Sequence, residues 1–520
     1  MPESQKQILW ADDEIELLRP HILFLEGKGY RVSPVANGED AISLMKRQRF
    51  DMVLLDEMMP GRGGLETLAE IKTIDPSVPV ILITKSEEET LMDEAIGKRI
   101  TDYLIKPVNP SQIFLACKRV FESEGLQRGQ VTRDYVQEFQ RIAALRSEPL
   151  GWKDWAELYL RLSHWDLELQ QVGDTGLEQT HADQLQEINI EFGRFIESNY
   201  SNWVHGRSER PVLSTDVVGQ FVAPLLRAKK RVYFFIIDCM RLDQWLSLEP
   251  LLEPYYQIER QLYCSILPTA TPYSRNSIFA GLFPADIASR YPQYWQEGVH
   301  AEGSRNRFER PLLEQHLRDL RVPELSMKYV KVYTAEDSNQ VRREIAGYQG
   351  LNLTAFVFNF LDILAHGRSE SDIIQELAPD EAAFRSVLVS WFQHSPLFEV
   401  LKSIARQDAV AVVTTDHGAV LARRSALVYG DRETSTNLRY KYGRNIGCDE
   451  KQAVMVKNPL TFRLPADGVN KNYILARENF YFVYPTNFHE YERQYRGSFQ
   501  HGGISMEEMI LPCSVLTPRR

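Results

Sequence analysis

Apolar and polar positions along this chain fall into two blocks of strand-and-helix repeats, separated by a stretch whose periodicity is helical only. In the first block, short apolar runs end in polar residues: 6–12, Met52–Asp56, Val80–Thr84 and Asp102–Lys106 predict strands. Amphipathic stretches near 14–26, 38–47, 64–73, 87–97 and 110–123 predict the helices. Residues 1–123 thus read as βα repeats around a parallel sheet. From 124 to 215 the strand pattern stops. Trp152, Trp155, Leu158, Leu162, Trp165 and Leu169 recur at steps of three or four, and Leu185, Ile188, Phe192, Phe195 and Ile196 mark a second helix. Such a stripe predicts the core of a helical bundle linker rather than a cofactor or nucleic-acid platform. Residues 216–520 return to strand signals, at 231–238, 329–334, 354–361, 409–415 and 453–457, and predict a second α/β domain with a mostly parallel sheet.

What ends those strands matters more than the strands. In the last block Asp238 closes one apolar run, Asp362 and His366 follow another, Asp416 and His417 a third, and His501 opens a His-Gly-Gly turn. Open α/β sheets gather ligands beyond the carboxyl ends of their strands, where these six residues would converge. Carboxylates clustered there need partners or a cation, and three Asp with three His suit two zinc-like ions. An irregular stretch, Leu262–Pro268, leads into Thr269-Ala-Thr271-Pro-Tyr-Ser-Arg275. Thr271, just before Pro272, heads a predicted helix whose free N–H groups favour an alkoxide and an incoming phosphate. Thr269 is a competing hydroxyl, and Arg275 either contacts a substrate phosphate or packs on its helix. In the first block Asp12, Asp13 and Asp56 sit at the tip of one sheet and can hold an octahedral Mg²⁺. One of them can accept a phosphoryl group, balanced by Lys106 and sensed by the Thr84 hydroxyl.

Net charge of -11 and a pI near 5.6 favour a soluble protein and argue against a non-specific nucleic-acid binder. Cys117, Cys239, Cys264, Cys448 and Cys513 show no CxxC spacing and read as thiols in a reducing compartment. With no apolar leader-like segment and no membrane-length apolar run, the expected location is cytoplasmic. The C-terminal half shows no basic helix-turn-helix pattern and the chain has no GxxxxGK[ST] motif, so direct DNA binding is not expected.

Residues 5–122 resemble the receiver domain of two-component response regulators. That resemblance implies an acidic pair Asp12 and Asp13, phosphorylation on Asp56 by a cognate sensor histidine kinase, switch residues Thr84, Tyr103 and Lys106, and a cis Lys106–Pro107 bond. It also implies homodimerisation on phosphorylation, through a face near residues 87–123. The last block resembles the PglZ-like branch of the alkaline phosphatase superfamily. By that resemblance Asp238, Thr271, Asp416 and His417 bind one zinc, Asp362, His366 and His501 the other, and Thr271 is the nucleophile. Thr271 cannot become the aldehyde of sulfatases, and the resemblance points to phosphodiesters, cyclic or linear oligonucleotides among them. The whole order resembles the PorX-type response regulators of type IX secretion signalling. A catalytically silent metal- or nucleotide-binding effector, signalling through a partner such as a sigma factor, is the alternative.

Overall fold

The computed structural model describes residues 5–85, 100–295, 306–323, 325–368, 371–430, 437–466 and 471–519, so the expected helix at 87–97 lies outside the described residues. The chain divides into two compact units, Met1–Val136 and Gln137–Arg520.

The first unit carries strands β1 (Gln7–Ala11), β2 (Arg31–Val35), β3 (Met52–Asp56), β4 (Val80–Thr84) and β5 (Asp102–Ile105) in one parallel sheet, in the order β2-β1-β3-β4-β5. Strand period sorts its side chains to two faces. Ile8, Trp10, Leu54, Ile81 and Ile83 pack against Ile22 and Leu25 of helix α1 (Arg19–Gly27) and Ile113 and Cys117 of α4 (Pro110–Leu145). Leu9, Val53, Leu55 and Leu82 face Ala41 and Met45 of α2 (Gly38–Met45) and Leu68 and Ile71 of α3 (Gly64–Ile74). Both faces are covered, which is why these strands are continuous apolar runs.

The second unit is built on a six-stranded sheet. Strands β6 (Val232–Ile237), β7 (Tyr256–Cys264), β8 (Met327–Val332), β9 (Leu353–Phe358), β10 (Val410–Thr414) and β14 (Ile510–Pro518) lie in the order β7-β14-β10-β6-β9-β8. The four strands β10, β6, β9 and β8 are parallel, and β14 runs antiparallel to both β10 and β7. The expected irregular stretch from Leu262 therefore begins as strand, since Leu262, Tyr263 and Cys264 pair with Pro512, Leu511 and Ile510. The strand signal at 453–457 is real but belongs elsewhere. As β12 (Ala453–Val456) it joins β11 (Tyr440–Arg444) and β13 (Lys471–Ala476) in a separate antiparallel sheet.

Helices α5 (Trp152–Val172) and α6 (Thr175–Val204) follow the predicted stripe, with Gly173 in the left-handed region at the end of α5. Their apolar face has no core of its own. Trp155, Leu158, Leu162, Ile188, Phe192 and Ile196 share one buried cluster with Phe234, Ile236 and Val412 of the sheet. The helices are thus part of the second unit's core. No described helix is long and apolar enough to cross a membrane.

Candidate functional site

Strands β6, β9 and β10 deliver their acids to one edge of the sheet. Asp238 follows β6, Asp416 and His417 follow β10, and Asp362 and His366 sit one turn apart on the helix Phe360–Gly367, which follows β9. His501 arrives from a turn that only glycine can make tightly. Gly502 has φ +119°, and a Cβ on Gly503 would lie 2.4 Å from the Arg439 guanidinium. Buried Arg439 pairs with buried Glu508, whose Oε1 accepts the Gly503 N–H at 2.8 Å.

The six residues separate into two groups, Asp238 with Asp416 and His417, and Asp362 with His366 and His501. In each, the ligand atoms lie within 4.8 Å of one another. In the first, buried His417 places Nδ1 3.1 Å from the Gly418 carbonyl oxygen. A carbonyl only accepts, so Nδ1 carries the proton and Nε2 turns its lone pair inward. Burial, with the neighbouring His501, holds this imidazole well below its usual pKa, hence neutral. Asp416 is fully buried and neither carboxylate oxygen has a hydrogen bond. Burial, and then the Asp238 charge, push its carboxyl well above the ordinary range. Asp238 is raised too, by burial against the opposing pull of Arg275.

The second group is arranged alike. His501 Nδ1 lies 3.3 Å from the Thr269 carbonyl oxygen, which turns Nε2 toward His366 Nε2 at 3.2 Å and Asp362 Oδ1 at 3.5 Å. Burial alone would raise Asp362, but His366 and His501 outweigh it and hold it well below 3.8. Two inward lone pairs and carboxylates with unmet electrostatic demand are what a cation would satisfy, so both groups fit metal ions.

Thr271 opens the helix Thr271–Ala280 with Pro272 beside it, and its Oγ1 meets the ligand atoms of the first group, 2.9 Å from His417 Nε2 and 3.5 Å from Asp238 Oδ1. Thr269 is buried and spent: its hydroxyl donates to the Gly503 carbonyl at 2.8 Å and accepts from the Gly502 N–H at 3.1 Å. Arg275, one turn beyond Thr271, is 2% exposed and grips Asp238 and Glu309. Its guanidinium is committed to protein carboxylates.

Three residues here are not among those the sequence singles out. Glu309, fully buried, binds Arg275, the Tyr329 hydroxyl and Lys331. Asn359 donates to Asp238 Oδ2 at 3.0 Å, and Asn306 donates to the Thr271 carbonyl at 3.2 Å. Only Asn359, at a strand end, stood where a sequence rule looks.

In the first unit Asp12, Asp13 and Asp56 form a third metal-capable group. Lys106 Nζ lies 2.8 Å from Asp56 Oδ1 and 3.0 Å from Asp12 Oδ2. Burial, eased by Lys106 and reinforced by the Asp12 charge, pushes Asp56 up to about 6. The Lys106–Pro107 bond is cis. Thr84 donates to Glu57, and Tyr103 is 39% exposed.

Fold and site together define a receiver joined to a phosphatase-like α/β domain. Residues 217–516 match the family described as the BREX system PglZ alkaline phosphatase-like domain, 8–118 the response regulator receiver domain, and 125–204 the PorX response regulator linker domain. The chain belongs to the PglZ family, in the receiver, linker and effector architecture of PorX-type response regulators.

Among curated proteins, the transcriptional regulatory protein ZraR of Klebsiella oxytoca is 34% identical over 142 residues, 27% of this chain and 32% of that protein. ResD of Bacillus subtilis (strain 168) is 31% identical over 115 residues, 22% of this chain and 48% of that protein. The chain therefore spans less than half the length of either. Among solved structures, a CheY-like receiver domain protein from Methanospirillum hungatei JF-1 is 25% identical, covering 23% of this chain and 96% of that one, with a TM-score of 0.23.

Proposed function

We propose that this protein is a response regulator phosphorylated on Asp56, whose effector domain is a zinc-dependent phosphodiesterase with Thr271 as nucleophile. The observation that carries this is the Thr271 hydroxyl at a helix start, 2.9 Å from a neutral His417 in the first of two separate Asp/His groups. The division follows the ligand types: Asp238, Asp416 and His417, with Thr271, would hold one zinc, and Asp362, His366 and His501 the other. Bound there, zinc would supply Lewis-acid polarisation of a phosphoryl oxygen and would acidify a hydroxyl or water.

The chain's own part is positioning. The Thr271 hydroxyl donates to His417 Nε2 at 2.9 Å; with zinc held by that nitrogen, the hydroxyl proton would pass to solvent and leave an oxygen lone pair free to attack. Attack on phosphorus forms a Thr271 Oγ–P bond as the ester oxygen departs with its electron pair and takes up a proton. Water then cleaves the Oγ–P bond and restores the hydroxyl. Pro272 has no N–H and those of Tyr273 and Ser274 donate to the Ala270 carbonyl, so what this helix start offers the phosphoryl charge is the positive end of its dipole.

Family membership supports phosphoric ester hydrolysis, and the branch supports diesters, with cyclic or linear oligonucleotides as substrates. A sensor histidine kinase would phosphorylate Asp56, with Mg²⁺ held by Asp12, Asp13 and Asp56. Phosphorylation would favour a homodimer, and the PorX-type order supports a place in type IX secretion signalling, with a sigma factor as a possible downstream partner. Hydrolysis of a chromogenic phosphodiester by the zinc-loaded chain tests the reading. Turnover that disappears in Thr271→Ala is expected; none in the wild type with both zinc ions bound would refute it.

A further inference from the structure

The cleft in front of Thr271 has a volume of about 390 Å³, within the range of small-molecule sites, and extends well past the two Asp/His groups. Its wall includes Arg307, Lys331 and Tyr333. This wall is tied directly to the nucleophile. Lys331 Nζ donates to the Asn306 carbonyl at 2.8 Å, and the Asn306 side chain donates to the Thr271 carbonyl at 3.2 Å.

The cations lining the cleft are not equivalent. Arg275 is spent on Asp238 and Glu309, and Lys331 is paired with Glu309 at 3.0 Å. Arg307 is exposed and, among the described residues, forms no ion pair or hydrogen bond. Its planar fork of donors is therefore available to an oxyanion, which an arginine can bind through two parallel hydrogen bonds. Tyr333, which lines the same cleft, is 53% exposed, with Lys331 Nζ 5.9 Å from its ring centroid. A half-exposed aromatic ring and an uncommitted arginine lining one cleft match a flat base that carries a phosphate.

We propose that Arg307 and Tyr333 form a second-nucleotide subsite, in which Tyr333 stacks the base on one side of the scissile diester and Arg307 binds a further phosphate attached to that nucleoside. The inference rests on the phosphodiesterase reading and narrows it. The preferred substrates are dinucleotides with at least two phosphates, whether 5′-phosphorylated linear ones or cyclic ones, and not isolated diesters.

The test compares pApA with ApA on the zinc-loaded full chain, in the wild type and in Arg307→Gln, Tyr333→Ala and Tyr333→Phe. The wild type should favour pApA, and Arg307→Gln should erase most of that preference. Tyr333→Ala should raise KM for both dinucleotides by roughly tenfold, whereas Tyr333→Phe, which keeps the ring, should stay close to wild type. Unaltered discrimination in Arg307→Gln, or equal behaviour of Tyr333→Ala and Tyr333→Phe, would overturn the subsite. Calorimetric binding of pApA to zinc-loaded Thr271→Ala separates the two readings. If no diester is turned over but Arg307→Gln in that background still weakens pApA binding about tenfold, the subsite stands and the catalytic reading falls. If binding is the same with and without Arg307, the subsite falls.

Discussion

Arg275 holds Oδ2 of Asp238, so that Oδ1 alone faces the Thr271 hydroxyl, 3.5 Å away. Asn359 adds a second donor to Oδ2 at 3.0 Å. The carboxylate thus presents one oxygen to the cleft and is fixed by the other. Arg275 also neutralises Glu309, and all three groups are buried. Arg275→Met would leave two buried carboxylates without this cation, at a cost of about 3–5 kcal/mol. Urea unfolding of the metal-free protein should show that loss. Zinc should recover part of it, because a cation at Asp238 does nothing for Glu309. An identical deficit with and without zinc would mean that Asp238 does not meet the metal.

The Thr271 hydroxyl can be removed without disturbing the packing around it, because its partners are polar atoms of His417 and Asp238. Thr271→Ala should lower phosphodiester turnover by roughly 10³-fold or more, whereas Thr271→Ser, which keeps the oxygen, should retain most of it. Zinc content by mass spectrometry should stay at the wild-type level in Thr271→Ser and, with Asp238, Asp416 and His417 still present as ligands, be largely kept in Thr271→Ala. Turnover equal to wild type in Thr271→Ala would exclude it as the nucleophile.

Much of this site was legible because β6 and β10 are unbroken apolar runs, so the acids that end them stand out. Asp238, Asp416 and His417 are therefore visible in one dimension, and Asp362 and His366 show the one-turn spacing of a single helix face. Glu309 was not legible. It lies in a charged stretch, and its partners Arg275 and Tyr329 are 34 and 20 residues away, so only tertiary packing reveals a shared carboxylate. The antiparallel edge was obscured for a different reason. Pro512 interrupts the signal of β14, and Glu259, Arg260 and Gln261 make β7 read as polar. The tryptophan stripe gave the right helices, but periodicity names the buried face and not the surface that buries it. Trp155 and Phe192 pack in the sheet's own core.

Gly418 follows His417 and leaves no room for a side chain. A Cβ there would fall 1.9 Å from the Glu507 carbonyl oxygen and 3.3 Å from Arg241 Cγ. The first contact is with backbone, which cannot swing aside. Gly418→Ala should therefore destabilise the protein by about 1–3 kcal/mol or more and displace His417, since the Gly418 carbonyl fixes its tautomer at 3.1 Å. Zinc affinity, measured by competition with a chromogenic chelator, should fall along with thermal stability. Wild-type affinity in a folded Gly418→Ala protein would show that the tautomer is set in some other way.

Asp56 supplies the pH dependence. Its carboxyl is raised from 3.8 to about 6, chiefly by burial, so the folded protein holds this proton more tightly than the unfolded chain does. Without metal, that contribution to stability is fully present below pH 3.8 and is lost as pH rises through about 6. Mg²⁺ requires the carboxylate and competes with the proton, so the sign reverses for binding. Affinity should weaken progressively as pH falls below about 6, and proton release per bound ion should rise from about one half at that pH toward one below it. Trp10, buried in the strand that leads to Asp12, offers a fluorescence signal, and calorimetry in buffers of different ionisation enthalpy counts the protons. In Asp56→Asn the proton release at this site should vanish. Binding that stays constant from pH 7 to pH 5 would mean that Asp56 is already ionised throughout, with Lys106, 2.8 Å away, overriding its burial.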